Sequence, residues 1–259
     1  MKLAYLLSSY PMTSTTFIKR EIRAIEALGQ PVERFSVRHW SGKLVDPDDI
    51  AEQGKTRYIL TGDKAALLKD VALTALTRPV RLLKLLPLWW RVYRNAGRGL
   101  AVAAAYLLEA MAFVRRANAS GIDHVHVHFS TNAAAVAMMA RRLGGPSYSF
   151  TVHGPDEIAP GVPARASFAE KAREAAFVVA ITRYCKGRIV EEAPDSADKV
   201  KIVLCGIELA DFPYDPIPPD SGGMICVGRL CANKGQVHIP AAVAQVVDEF
   251  PGLVIDLIG

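Results

Sequence analysis

HVHVHFSTNAAAVAMMARRLGGPSYSFTVHGPDE, residues 124–157, decides the fold. Histidine alternates with valine and phenylalanine over 124–129, the two-residue period of a strand. Small and apolar residues continue at helical spacing over 131–143 until Gly144, Gly145 and Pro146 stop them, and YSFTV (148–152) is a second strand. A polar loop then opens at His153-Gly154-Pro155-Asp156. Strand, helix and strand joined by short turns make a parallel crossover unit. The same alternation extends outward. Upstream, KLAYLL (2–7) is a strand, SSYPMTST a loop, and Phe17, Ile18, Ile22, Ile25 and Leu28 mark a helix that ends at Gly29-Gln30-Pro31. VERFSV (32–37) and TRYIL (56–60) are further strands separated by a charged connector, WSGKLVDPDDIAEQGK, and helices follow at about 63–77, 79–95 and 98–119. Downstream come a helix at about 164–175, strand FVVAIT (177–182), a helix at about 184–192 and strand KVKIVL (199–204). The prediction is an α/β fold: a doubly wound parallel sheet covered on both faces, with a ligand crevice at the carboxyl ends of its strands.

The texture changes at DFPYDPIPPDSGG (211–223), whose four prolines suit an interdomain linker. The expected division is 1–214 for one domain and 215–259 for the linker and an incomplete second one. Past the linker, MICVG (224–228), a helix at about 235–249 and LVIDLIG (253–259) make one βαβ unit. A lone βαβ unit cannot bury both faces of its sheet, so the second domain is expected to continue beyond residue 259.

Composition excludes several classes. With 51% hydrophobic and 22% charged residues in 259, the chain is a folded globular one. The longest stretch free of Asp, Glu, Lys and Arg, His124–Ala140, carries three histidines, so no membrane-spanning helix is expected. Lys19, Arg20 and Arg23 follow the short apolar N-terminus too closely for a signal peptide. Cys185, Cys205, Cys226 and Cys231 form no C-x-x-C pair and are read as reduced thiols, which places the protein in the cytoplasm. The net charge of +5 comes from one place: six cations and no acid lie between Asp70 and Glu109. Cations so confined do not suit nucleic-acid binding.

Four groups of residues are candidates for chemistry. In VGRLCANKGQ (227–236), Gly228 ends a strand, Arg229 and Lys234 flank a loop, and Gly235 opens a helix. Backbone amides with two cations hold a diphosphate, although the pattern equally suits a turn whose cations face water. No Walker loop or dinucleotide-binding glycine pattern is present. In TVHGPDE (151–157), His153 at a strand's carboxyl end is a donor or base at the crevice, or a structural histidine, and Asp156 is a helix cap or ligand contact. His124, His126 and His128 share one strand face, but neighbours there stand ~6.5–7 Å apart, too far to share one ion. No metal is expected; His128 alone reaches the crevice, and the other two are edge or packing residues. In RPVRLLKLLPLWWRVYRNAGR (78–98), Arg81, Lys84, Arg91, Arg94 and Arg98 gather on one helical side. Leu82, Leu85, Leu86, Trp89 and Tyr93 take the other, and Pro87 is expected to kink the helix. With Trp90, this is either a headgroup-layer helix on an anionic membrane or a core helix with a solvated basic face.

The motifs in their order resemble family 4 glycosyltransferases of GT-B fold, in particular the bacterial branch that builds exopolysaccharides such as colanic acid. YLLSSYPMTSTTFIKREI, VHFSTNAAAVA, FTVHGPDE, AITRYCKGRIVE and KIVLCGIELADF resemble successive landmarks of the acceptor-side domain, and CVGRLCANKG the start of the donor-side domain. The resemblance implies an N-terminal Rossmann-like domain plus the first βαβ unit of a second. It assigns the donor diphosphate to Arg229 and Lys234, the neighbourhood of the transferred sugar to His153, and the loop facing donor phosphate and acceptor to Ser14, Thr15 and Thr16. It also implies retention at the anomeric carbon without a metal, and no cofactor besides the nucleotide-sugar co-substrate. The family's paired glutamates have no counterpart in these 259 residues, so the fragment alone is expected to be inactive. The expected function is transfer of a hexose-type unit to a lipid-linked saccharide at the inner face of the cytoplasmic membrane. Two rivals are a non-catalytic membrane or glycan-binding module and a GT-B sugar-nucleotide epimerase.

Overall fold

The computed structural model describes residues 1–60, 62–96, 99–159, 167–214 and 223–259, side chains excepted at 95–96, 155–156 and 233. The chain divides into two compact units, Met1–Ile207 and Glu208–Gly259. The proline-rich stretch 215–222, on which the expected boundary falls, lies outside the described residues.

In the first unit the order is β1 (Leu3–Ser9), α1 (Thr16–Ala27), β2 (Val32–Arg38), α2 (Pro47–Lys55), β3 (Thr56–Tyr58), α3 (Lys64–Thr77), α4 (Pro79–Ala96), α5 (Leu100–Ala119) and β4 (His124–His128). It continues with α6 (Asn132–Arg142), β5 (Ser147–Val152), α7 (Phe168–Glu174), β6 (Val178–Ala180), α8 (Arg183–Glu192) and β7 (Val200–Ile202). All seven strands are parallel, ordered β3-β2-β1-β4-β5-β6-β7. The order reverses between β1 and β4. A doubly wound sheet opens its ligand crevice at such a reversal.

Alternation along the strands sets the two faces. Leu6, Phe35, Val127 and Phe150 face a large core with α5 and α6. Helix α6 is nearly all Ala, Val and Met and fully buried along Ala133–Ala140, its small side chains letting it lie close on β1, β4 and β5. The opposite face carries Tyr5 and Leu7 under Ile18 and Ile22 of α1. Beside them stand His124, His126 and His128 of β4, a central strand and not an edge one, as the sequence reading left open.

The structure corrects three other expectations. The charged connector contains α2: Asp46 caps it by accepting from Asp48 N–H, Pro47 sits in its first turn, and Asp48 and Asp49 favour its positive end. The helix expected over 235–249 is one 3-10 turn (Gln236–His238) and the five-residue α9 (Ile239–Val243), followed by turns. Helix α4 includes Pro87 and buries Leu85, Leu88 and Val92, with Leu82 and Trp89 packed beside them as expected; Leu86, expected on that apolar side, is exposed instead.

Glu109 of α5 is fully buried, and neither carboxylate oxygen has a hydrogen-bond partner among the described residues. Burial pushes its pKa up to about 7 from 4.5, against a pull from Arg38. The folded chain therefore keeps a proton that the unfolded chain has released, and this group's contribution falls as pH rises from 4.5 to 7. At about 1.4 kcal/mol per unit, Glu109→Gln should remove about 2–3 kcal/mol of stability loss between pH 5 and pH 8. Urea unfolding of both proteins at the two pH values measures it; an unchanged difference contradicts it.

The second unit pairs β8 (Met224–Val227) with β9 (Ile255–Ile258) in parallel.

Candidate functional site

At the reversal, the carboxyl end of β1 meets the start of α6. Ser8 Oγ donates to Asn132 Oδ1 and lies 3.5 Å from Thr131 Oγ1. In the loop after β1, Thr15 is buried and its hydroxyl donates to Met12 O (2.8 Å), so it shapes the loop from inside, while Ser14 and Thr16 are exposed.

His153 follows β5 on the same rim. Its ring lies 4.6 Å from those of Phe17 and Phe129, centroid to centroid, and its Nε2 is 2.8 Å from His128 Nδ1. Phe129 holds a left-handed backbone (φ 70°), which costs a non-glycine residue ~1–3 kcal/mol and which the surrounding contacts enforce. Burial, then the neighbouring His128, lower the His153 pKa to about 4 against the opposing charge of Glu21. At neutral pH His153 is an uncharged imidazole.

Glu157, which sequence reasoning did not single out, holds this rim together. Its Oε1 accepts from His153 N–H (2.6 Å), and its Oε2 from Ser130 N–H (2.6 Å) and Ser130 Oγ (2.9 Å). It thus ties the loop after β4 to the loop after β5. Lys171 lies buried beside it and donates to Ser130 O; burial draws its pKa down to about 7, against the pull of Glu157 and Glu170. Asp156 falls in the 3-10 turn Pro155–Ile158, and its side chain lies outside the described residues.

The β4 histidines face the hydroxyls of β5 in register. Ser149 Oγ bridges His124 Nε2 and His126 Nδ1 (2.7 Å each), and Thr151 Oγ1 meets His126 Nε2 at 2.8 Å. Burial, ahead of the charge of His128, lowers the His126 pKa to about 3. These side chains line a groove of about 390 Å³ that extends from His153 along the sheet to Leu3, with Tyr5, Glu21 and Phe177 in its walls. Glu21, His126 and His128 bring ligand atoms within 4.8 Å of one another. With both His126 nitrogens engaged by hydroxyls, two ligands remain, short of a zinc site's three or four.

In the second unit, Gly228 follows β8, and Arg229 and Lys234 are exposed on either side of the loop. Gln236 Nε2 braces it by donating to Gly228 O (3.0 Å) and Arg229 O (3.2 Å), a role the sequence did not reveal. Gly235 takes φ +77°, a conformation that suits glycine, between two 3-10 turns. The loop borders a hollow of about 370 Å³ lined by Leu230, Cys231, Ala232, Gln236 and Val237.

Of the expected membrane-contact residues, Arg81, Lys84, Trp90, Arg91 and Arg94 are exposed on α4, although Arg81 also reaches Leu143 O just past the end of α6 (3.4 Å). Trp89 turns inward and donates from Nε1 to Ala103 O of α5 (2.7 Å). Arg98 lies outside the described residues. Among the described residues, no helix is long and apolar enough to cross a membrane.

A parallel seven-stranded α/β unit, followed along the chain by a second unit that carries a strand and a cation-flanked glycine loop, matches the GT-B-like fold. Residues 65–211, more than half of the chain, match the family described as Glycosyltransferase Family 4, and the chain belongs to that family. No curated protein sequence matches it. Among solved structures it is similar to HepE of Anabaena in complex with UDP and glucose, at 11% identity and TM-score 0.61, covering 99% of this chain and 60% of that one. A glycosyltransferase from Rickettsia africae matches at 11% identity and TM-score 0.58, covering 99% and 68%. The UDP-GlcNAc 2-epimerase of Methanocaldococcus jannaschii matches at 13% and 0.52, covering 98% and 65%. At these identities the likeness is one of fold. The chain spans 60% of the length of HepE.

Proposed function

We propose that this chain provides the acceptor-binding domain and the opening of the donor-binding domain of a glycosyltransferase. The enzyme moves a sugar from a nucleotide-sugar donor to a lipid-linked saccharide in cell-surface polysaccharide biosynthesis. The observation that carries the reading is the β1/β4 crevice with His153 between Phe17 and Phe129, in a chain of Glycosyltransferase Family 4. The UDP and glucose bound to HepE support a nucleoside-diphosphate sugar as co-substrate. On this reading Arg229 and Lys234, with the amides of the Gly228–Gly235 loop, meet the charge that grows on the departing diphosphate, and the crevice orients the acceptor hydroxyl. Retention without a metal or further cofactor, and the exopolysaccharide setting, follow from the resemblance in sequence. We assign turnover to an enzyme whose donor domain is completed to the length of these relatives.

We further propose that α4 docks the enzyme on the inner face of the cytoplasmic membrane. Val80, Leu83 and Trp90 are exposed there, interleaved with Lys84, Arg91 and Arg94. Apolar anchors with cations suit an anionic headgroup layer. Changing Lys84, Arg91 and Arg94 to Glu is expected to abolish flotation with anionic liposomes; undiminished flotation contradicts the docking face.

The fold shared with UDP-GlcNAc 2-epimerases favours one rival, isomerisation of the nucleotide sugar itself. Incubating the completed enzyme with nucleotide sugars separates the readings. Transfer releases nucleoside diphosphate only when acceptor is present, epimerisation turns over without one, and a binding module does neither.

A further inference from the structure

The hydrogen bonds around His153 constrain more than its position. Glu21 of α1 carries an ionised carboxylate: burial pushes its pKa up, but the neighbouring His128 and the Tyr5 hydroxyl outweigh this and bring it to about 2. An ionised carboxylate only accepts. His128 Nε2 is buried, has no hydrogen-bond partner among the described residues, and stands 3.4 Å from Glu21 Oε1. A bare nitrogen there would turn the lone pair of a fully buried ring toward a carboxylate, so Nε2 carries the proton. In a neutral imidazole Nδ1 is then bare. That nitrogen lies 2.8 Å from His153 Nε2, which must therefore donate. Its own Nδ1 is left with a free lone pair.

We infer that Glu21 is a positioning residue which, acting through His128, fixes His153 in the tautomer with Nε2 protonated and Nδ1 bare. His153 then accepts a hydrogen bond from a ligand hydroxyl. A bare nitrogen admits a sugar O–H and repels a deprotonated phosphate oxygen, which is itself only an acceptor. That consequence for ligand choice rests on the transferase reading; the tautomer does not.

The test is imidazole ¹⁵N NMR of this chain at pH 8, without substrate, with His128→Asn and His153→Asn to assign the two rings. Both rings are expected to show the Nε2–H pattern. In Glu21→Ala, which removes the acceptor facing His128 Nε2, the fixed order is expected to be lost and both rings to show a mixture of Nε2–H and Nδ1–H. Tyr5→Phe is expected to keep the original order. An Nδ1–H pattern for His153 in the unaltered chain overturns the inference, as does an undisturbed Nε2–H pattern for both rings in a folded Glu21→Ala protein. Should that variant fail to fold, the tautomers of the unaltered chain decide alone. The transferase reading fails separately: intact tautomers in a completed enzyme that transfers no sugar would sink it and leave the role of Glu21 standing.

Discussion

Replacing Arg34 with alanine is expected to lower the unfolding free energy by about 3–5 kcal/mol, because it strands a buried carboxylate. Arg34 of β2 is 5% exposed. It donates from Nε to Glu52 Oε2 (3.0 Å), from one terminal nitrogen to Glu26 Oε2 (2.7 Å) and from the other to Val32 O (2.6 Å). Glu52 is fully buried and also accepts from the hydroxyl of Tyr10 (3.0 Å), the residue that begins the loop after β1. Burial raises the Glu52 pKa, and Arg34 more than offsets this and holds it low. Without the guanidinium the carboxyl takes up a proton more readily, so the deficit should shrink as pH falls through the ordinary carboxylate range. Urea unfolding at pH 7 and pH 5 measures both effects. A loss below about 1 kcal/mol would class the pair with surface ion pairs and contradict this account.

Arg229→Ala and Lys234→Ala are each expected to lower kcat/KM of the completed enzyme by about 2–4 kcal/mol of transition-state stabilisation, or roughly 30- to 1,000-fold. Both side chains are exposed and brace no core, so the thermal midpoint should not move. Gln236→Ala provides a contrast. It removes the amide that holds Gly228 O and Arg229 O and should loosen the loop without removing charge, raising KM more than it lowers kcat. Unchanged rates in both cation variants would remove the donor site from the proposal.

Much of this architecture is legible in the chain, because period-2 and period-3.6 patterns alternate and β1, β4 and β5 carry their own turn signals. The reading failed where local composition misled. Helix α2 lies in a stretch taken for a connector on account of its charges, although Asp46, Pro47, Asp48 and Asp49 form an ordered helix start. The tertiary fact that Glu52 turns inward to Arg34 is absent from any local pattern. Conversely, apolar spacing over 235–249 suggested a helix that gives way to turns after Val243. At the site, His153 and His128 could be singled out because each ends a strand. Glu21 could not: it sits among the charges of Lys19-Arg20-Glu21, and only the crossover that places β1 beside β4 brings it within 3.4 Å of His128. Glu157 was in view as the last residue of TVHGPDE, but its acceptor role depends on Ser130 arriving from the neighbouring strand. The β4 histidines were correctly set on one face. What the alternation left unread was their matching column of hydroxyls on β5, which satisfies His124 and His126 without a metal.

The most direct measurement of the central claim follows the fate of a radiolabelled sugar supplied as its nucleoside-diphosphate derivative to the completed enzyme, with and without lipid-linked saccharide. The account expects label in the lipid-extractable fraction only when that acceptor is present, and its loss in His153→Ala. Label that stays on the nucleotide while the sugar is isomerised at the same rate without acceptor would contradict it.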